Sequence, residues 1–245
     1  MKSPDYSAKA RHVLITGRSA TGKTSAMMRL IEDSPNNLVL IFDPEHEFVG
    51  RFKLPAPLED FTKLAEYVRE NKTRYVPFAP ELYPVLADGF DDFCDFCFTL
   101  AQTYETPAGK PLSILMVVDE LQDFVTITDL PQSFRNCLQR GRRYHLDMIC
   151  ASQQPNLLHN IVRTQTTEVY VFAQADLLAT KFNARLGVPA EEILSLRDLH
   201  YLRKIQNSPV EKGKIVFDKD GARMLPLTIT EAVVNDNETA KPPKS

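Results

Sequence analysis

Short apolar runs recur along this chain, and longer amphipathic stretches separate them. The runs His12 to Thr16, Leu38 to Phe42, Arg74 to Phe78, Ser113 to Val118, Leu146 to Ala151 and Glu168 to Phe172 predict strands. Several are apolar at consecutive positions, as a strand covered on both faces must be. The stretches Gly22 to Glu32, Leu58 to Asn71, Asp88 to Thr103 and Pro131 to Tyr144 have helical spacing. Alternating strands and helices predict an α/β fold: a doubly wound, mostly parallel sheet with helices on both faces.

After Phe172 the alternation loosens. Gln174 to Leu186 and Pro189 to Leu196 predict two short helices. Lys214 to Phe217 and Ala222 to Pro226, joined through Asp218 to Gly221, predict a hairpin with a polar turn. Residues 236–245 are polar and carry two prolines, so they are expected to be a disordered tail on a single domain spanning 1–235.

The first strand runs into the octet Gly17, Arg18, Ser19, Ala20, Thr21, Gly22, Lys23 and Thr24. It fits G-x-x-x-x-G-K-[ST], with a strand before it and a helix after it, as the phosphate-binding loop requires. The two glycines permit backbone angles and close approach that a side chain would block. N-H groups of the loop and the helix N-terminus then point at phosphates. Lys23 would neutralise the β and γ phosphates, and Thr24 would offer its hydroxyl to Mg²⁺. ATP and Mg²⁺ are the expected cofactors.

Five apolar residues of the fourth predicted strand, Ile114 to Val118, lead into Asp119 and Glu120. Asp119 is placed to hold the metal. Glu120 suits activation of the water that attacks the γ phosphate, which favours hydrolysis over transfer to a bound acceptor. The strand from Leu146 ends in Ser152, Gln153, Gln154 and Pro155. A glutamine there can sense the γ phosphate, although polar residues before proline also make ordinary turns. Arg135, Arg140, Arg142 and Arg143 crowd the segment before that strand. Arginine's planar fork suits transition-state charge, and a solvated helix face is the plainer reading.

Composition narrows the classes. The chain has 245 residues and a formal net charge of -3, so no global basic field marks a nucleic-acid partner. The longest apolar run is far too short to span a bilayer. The polar start, MKSPDYSAKAR, has no apolar segment of signal-peptide type. Cys94 and Cys97 form one C-x-x-C without a second ligand pair, among Phe90, Phe93, Phe96 and Phe98. That reads as a packing helix in a protein of a reducing, cytoplasmic compartment.

Taken in order, these motifs resemble the FtsK/HerA superfamily of DNA-pumping ATPases over roughly residues 10 to 210. LIFDPEHEF at Leu40 to Phe48 resembles the family's second strand, which ends in Asp-Pro near an acidic-aromatic pair. ASQQP at Ala151 to Pro155 resembles its A-T-Q-R-P, with Gln154 in place of the usual arginine. The resemblance implies Gln153 as the sensor and an additional strand, carrying it, between those of the phosphate loop and Asp119. It also implies Glu120 as the catalytic glutamate and a trans-acting arginine among Arg142, Arg143 and, in reserve, Arg140. A bare motor of this size looks most like the genome-packaging ATPases of tailless, internal-membrane icosahedral viruses. Double-stranded DNA, a homo-oligomeric ring of five or six subunits and capsid or portal-vertex proteins are then the expected partners. The setting would be the host cytoplasm or the packaging vertex. A conjugation or plasmid-mobilisation motor, a nucleotide kinase and a scaffold that binds ATP as a switch are the alternatives.

Overall fold

A computed structural model describes residues 2–9, 11–51, 61–70, 73–81, 83–105, 109–219 and 221–227. The expected tail at 236–245 lies outside them, as do positions 58–60 and 71 of the second expected helix.

Among the described residues, nine strands form one sheet in the order β3-β2-β4-β5-β1-β6-β7-β8-β9. Six are parallel: β1 (His12–Thr16), β2 (Leu38–Phe42), β3 (Tyr75–Phe78), β4 (Ile114–Val118), β5 (Leu146–Ser152) and β6 (Glu168–Val171). Then β7 (His200–Ile205), β8 (Val210–Asp218) and β9 (Gly221–Pro226) continue it antiparallel. Strand β5 lies between β4 and β1, where the resemblance put the additional strand.

Side chains of each parallel strand alternate between two cores. Leu40, Met116, Cys150 and Val171 face one, and Ile41, Val117, Ala151 and Tyr170 face the other. The faces are covered unequally. The first core takes α2 (Phe61–Arg69), α3 (Leu86–Thr103), α4 (Gln132–Arg140), α5 (Asn160–Gln165), α6 (Leu177–Ala184) and α7 (Ala190–Leu194). The second takes α1 (Lys23–Glu32), through Ala26, Met27, Leu30 and Ile31. Tyr201, Ile215 and Met224 of the antiparallel strands complete that cover. Helices do lie on both faces, but one helix and a curled sheet edge share the second.

Phe90, Phe93 and Phe98 of α3 are buried, and the first two pack against Phe42 at 5.4 and 5.3 Å. Cys94 and Cys97 are buried free thiols pushed well above the usual range by burial. Cys137 Sγ reaches the Cys94 carbonyl at 3.3 Å. Among the described residues no His, Cys, Asp and Glu cluster could hold a metal by itself. These thiols are packing groups.

Several boundaries move for local reasons. The helix expected from Gly22 starts at Lys23, because Gly22 is its left-handed N-cap at φ 107°. The one expected from Gln174 starts at Leu177, because Asp176 caps it by accepting from the Ala179 N-H at 2.8 Å. The helix expected to reach Tyr144 stops at Arg140. Gly141 to Tyr144 tighten into a 3₁₀ turn, with Gly141 pressed against Leu146. Strand β7 went unrecognised, and the hairpin's first strand starts at Val210 rather than Lys214.

A candidate nucleotide-hydrolysis site

The carboxyl ends of β1, β2, β4 and β5 converge on a cleft of about 400 Å³, the usual place for a ligand in an open α/β sheet. The loop 17–24 forms one side. Added to Gly17, a Cβ would sit 2.6 Å from the Phe172 Cβ. Ala20 takes the left-handed region at φ 61°, which residues with a side chain seldom enter. Thr21 is fully buried, and its hydroxyl donates to the Arg18 carbonyl at 2.8 Å. Among the described residues, the N-H groups of Ser19, Gly22, Lys23 and Thr24 donate to no other protein group. They form a nest of donors at the start of α1, suited to an anion.

Lys23 is buried, and its Nζ donates to the Arg18 carbonyl at 3.2 Å. Burial pushes the Lys23 ammonium below its ordinary value, and the charges of Glu120, Asp119 and Glu47 pull it back. Asp119 follows β4 directly, and its Oδ1 accepts the Glu120 N-H at 2.8 Å. Burial raises its carboxyl to about 6. Glu120 and Glu47 add to the rise, while the Glu120 N-H and Lys23 oppose it.

Glu120 sits in the left-handed region at φ 46°, where β4 gives way to the 3₁₀ turn Leu121–Asp123. That strained turn brings its carboxylate to β5. Gln153 Nε2 donates to Glu120 Oε1. Gln122 Nε2 donates to Glu120 Oε2 at 2.8 Å, and Ser152 Oγ donates to Gln122 Oε1 at 2.6 Å. The structure thus gathers Lys23, Thr24, Asp119, Glu120 and Gln153 around one cleft.

The three candidate arginines stand apart. They precede β5, whereas Gln153 follows it, so about 20 Å of strand separates the two groups. Arg143 lies over the Tyr6 ring at 5.0 Å and Arg140 over the Phe98 ring at 5.8 Å. Arg142 is exposed and makes no ion pair among the described residues.

Other cleft residues had gone unassigned. Glu47 enters because the buried Asp43 carboxylate accepts the Glu47 and Phe48 N-H groups, at 2.8 and 3.0 Å, and folds the loop after β2 back over the site. The DPEHEF string was its signal. Leu199 and Phe217 come from the antiparallel extension. Leu199 is held left-handed at φ 65°, and its N-H donates to the Thr21 carbonyl at 3.1 Å. Beside it, Asp198 pairs with Arg18 at 2.6 Å. Phe217 lines the cleft while 61% exposed, and no local pattern marks it.

No protein-family model matches the chain. Protein P9 of Pseudoalteromonas phage PM2 is 24% identical over 212 residues, covering 84% of this chain and 91% of P9. The genome packaging NTPase B204 from Sulfolobus turreted icosahedral virus 2, solved with sulfate, superposes with a TM-score of 0.65 at 16% identity. The match covers 83% of this chain and 95% of that one. The chain shares the fold of B204. That fold also reaches the cytoplasmic domain of the Type VII secretion ATPase EccC from Thermomonospora curvata, with a TM-score of 0.53 at 16% identity. There the match covers 92% of this chain but 27% of EccC. Among the described residues, no helix is long and apolar enough to cross a membrane.

Proposed function

We propose that this protein hydrolyses ATP to move double-stranded DNA, as a homo-oligomeric ring that packages a viral genome. The observation that carries the hydrolytic part is the hydrogen bond from Gln153 to Glu120, in the cleft that also holds Lys23 and Asp119. A kinase would need an acceptor in the place of water and would have no use for a glutamate so held. The DNA part is supported by the fold shared with B204, a genome packaging NTPase, and the ATP part by that protein's complexes with AMPPCP and with ATP-gammaS.

The chain's own groups suit the reaction. The loop N-H groups and Lys23 bind and orient the β and γ phosphates. Gln153 and Glu120 hold a water against the γ phosphorus. Its oxygen attacks, Glu120 takes its proton, and the bond to the β-γ bridging oxygen breaks, leaving ADP and phosphate. Thr24 and Asp119 fit Mg²⁺: a hydroxyl and one carboxylate, completed by phosphate oxygens and water, are the hard ligands it prefers. A carboxyl pushed up by burial is also one that a nearby cation would return to its charged form. When bound, Mg²⁺ offsets phosphate charge during transfer.

The first wall of the cleft binds triphosphate, and Phe217 offers a ring for the base. Arg142 is the trans arginine that serves the neighbour's site, since it cannot serve its own. The decisive experiment measures ATPase rate with and without double-stranded DNA, alongside particle size in solution. Stimulation by DNA of any sequence, with a ring-sized particle, is expected. Hydrolysis by a monomer that ignores DNA refutes the motor, and phosphoryl transfer to a small acceptor would make it a kinase.

A further inference from the structure

At the end of the sheet opposite the nucleotide cleft lies a second cleft of about 300 Å³, and three cations line it. The topology brings them together. Arg163 lies on α5, which leads into β6. Arg185 caps the end of α6, which runs back from the nucleotide end. Lys204 lies on β7, opposite Val169 near the start of β6. Nothing in the hydrolytic chemistry uses any of them.

Their charge is uncompensated. Arg163 donates through Nε and Nη2 to the neutral Asn160 Oδ1, at 3.1 and 2.5 Å. Lys204 Nζ donates to the Ser208 carbonyl. Arg185 is exposed. Among the described residues none of the three pairs with a carboxylate, whereas Arg11, Arg18, Arg29, Arg51, Arg203 and Arg223 all do. The acid in the lining, Glu168, is shared by Arg11 at 3.3 Å and Arg203 at 2.8 Å, so it cannot neutralise the cleft. On a chain of net charge -3, cations left unpaired in one concavity mark an anion site.

We propose that this cleft grips the phosphodiester backbone of double-stranded DNA, which rests on the motor reading above. Arginine's planar fork and lysine's ammonium both suit phosphate oxygens. The lining has no aromatic side chain. Base stacking, by which single strands are held, is therefore not provided, and contact is confined to the backbone. Such contact is indifferent to sequence. It also places the DNA grip and the hydrolytic cleft at opposite ends of β1 and β6, so one rigid sheet links them.

The test titrates a fluorescent duplex with the full chain across a salt series, in the presence of an ATP analogue. The triple variant Arg163→Gln/Arg185→Gln/Lys204→Gln is compared with wild type, and circular dichroism and thermal melting verify its fold. Each lost phosphate contact lowers the slope of log affinity against log salt by about 0.9, so a fall of about 2 to 3 is expected. Arg185→Glu alone, at an exposed position, should weaken binding at least ~10-fold at low salt, and it serves if the triple variant does not fold. Wild type that binds DNA with a slope the variants share overturns this site and leaves the motor standing. Wild type that binds no DNA at low salt removes both. Unchanged DNA binding with lost adhesion to anionic phospholipid vesicles would assign the cleft to a membrane surface and overturn the proposal.

Discussion

Asp119→Asn should make the nucleotide-free protein more stable and the working protein inactive. Folding lifts the Asp119 carboxyl from 3.8 to about 6, chiefly by burial. A group whose folded value is raised favours folding only while protonated. Its stability is fully present below 3.8 and lost as pH rises through about 6. At 1.36 kcal/mol per pH unit, the loss reaches about 3 kcal/mol above pH 7. Asparagine is uncharged and nearly isosteric, and its Oδ1 can still accept the Glu120 N-H. The variant should therefore melt higher at pH 8, by about 6–12 °C for a chain of this length. The gain should shrink to about half at pH 5, because wild-type Asp119 is then mostly protonated in the fold. Adding Mg-ATP should reverse the order, since the variant has lost the metal-binding charge. Scanning calorimetry at the two pH values, with and without Mg-ATP, reads all four cases. Equal melting at pH 8, or a gain undiminished at pH 5, would show that burial does not strain this carboxyl.

Glu120→Gln should bind ATP but turn it over at least ~100-fold more slowly and accumulate unhydrolysed nucleotide, as single-turnover measurements would show. Gln153→Ala should give a milder version, and an unchanged rate would remove it from the site. Phe217→Ala should raise the Kd for ATP by about 5- to 150-fold if the ring stacks on the base. Inorganic triphosphate should bind it as it binds wild type; equal weakening of both would argue against stacking. Arg142→Ala alone should be inactive, and mixing it with Lys23→Ala should restore part of the activity, because some interfaces then pair an intact site with an intact arginine. No recovery in rings shown to be mixed, or full activity of Arg142→Ala by itself, would end the trans assignment.

The parallel half of the fold was legible because its physics is local. Strands such as Leu38–Phe42 are buried on both faces and read as unbroken apolar runs. The phosphate loop and the Asp119-Glu120 pair are likewise contiguous. Of the antiparallel extension, the β8–β9 hairpin was legible apart from its early start, but β7 was not, because its polar residues are satisfied across strands rather than by solvent. Arg203 of β7 binds Glu168 on β6 and Glu211 on β8, at 2.8 and 3.0 Å. That breaks the alternation by which a half-buried strand is recognised. Gln122 and Phe217 escaped for a related reason. The role of each depends on a partner brought in by tertiary structure, Ser152 in one case and the phosphate loop's flank in the other.

That extension bears directly on the site. The chain segment from Asp198 to Leu199 pairs with Arg18 and hydrogen-bonds Thr21, and Gly22 lies against both Leu199 and Ile215. The start of β7 therefore touches the phosphate loop, while its other end, at Lys204, lines the basic cleft. A strand that meets the loop at one end and the cations at the other is a short mechanical path between them. Leu199, held in a left-handed conformation that leucine seldom adopts, is the residue that joins the loop to this strand.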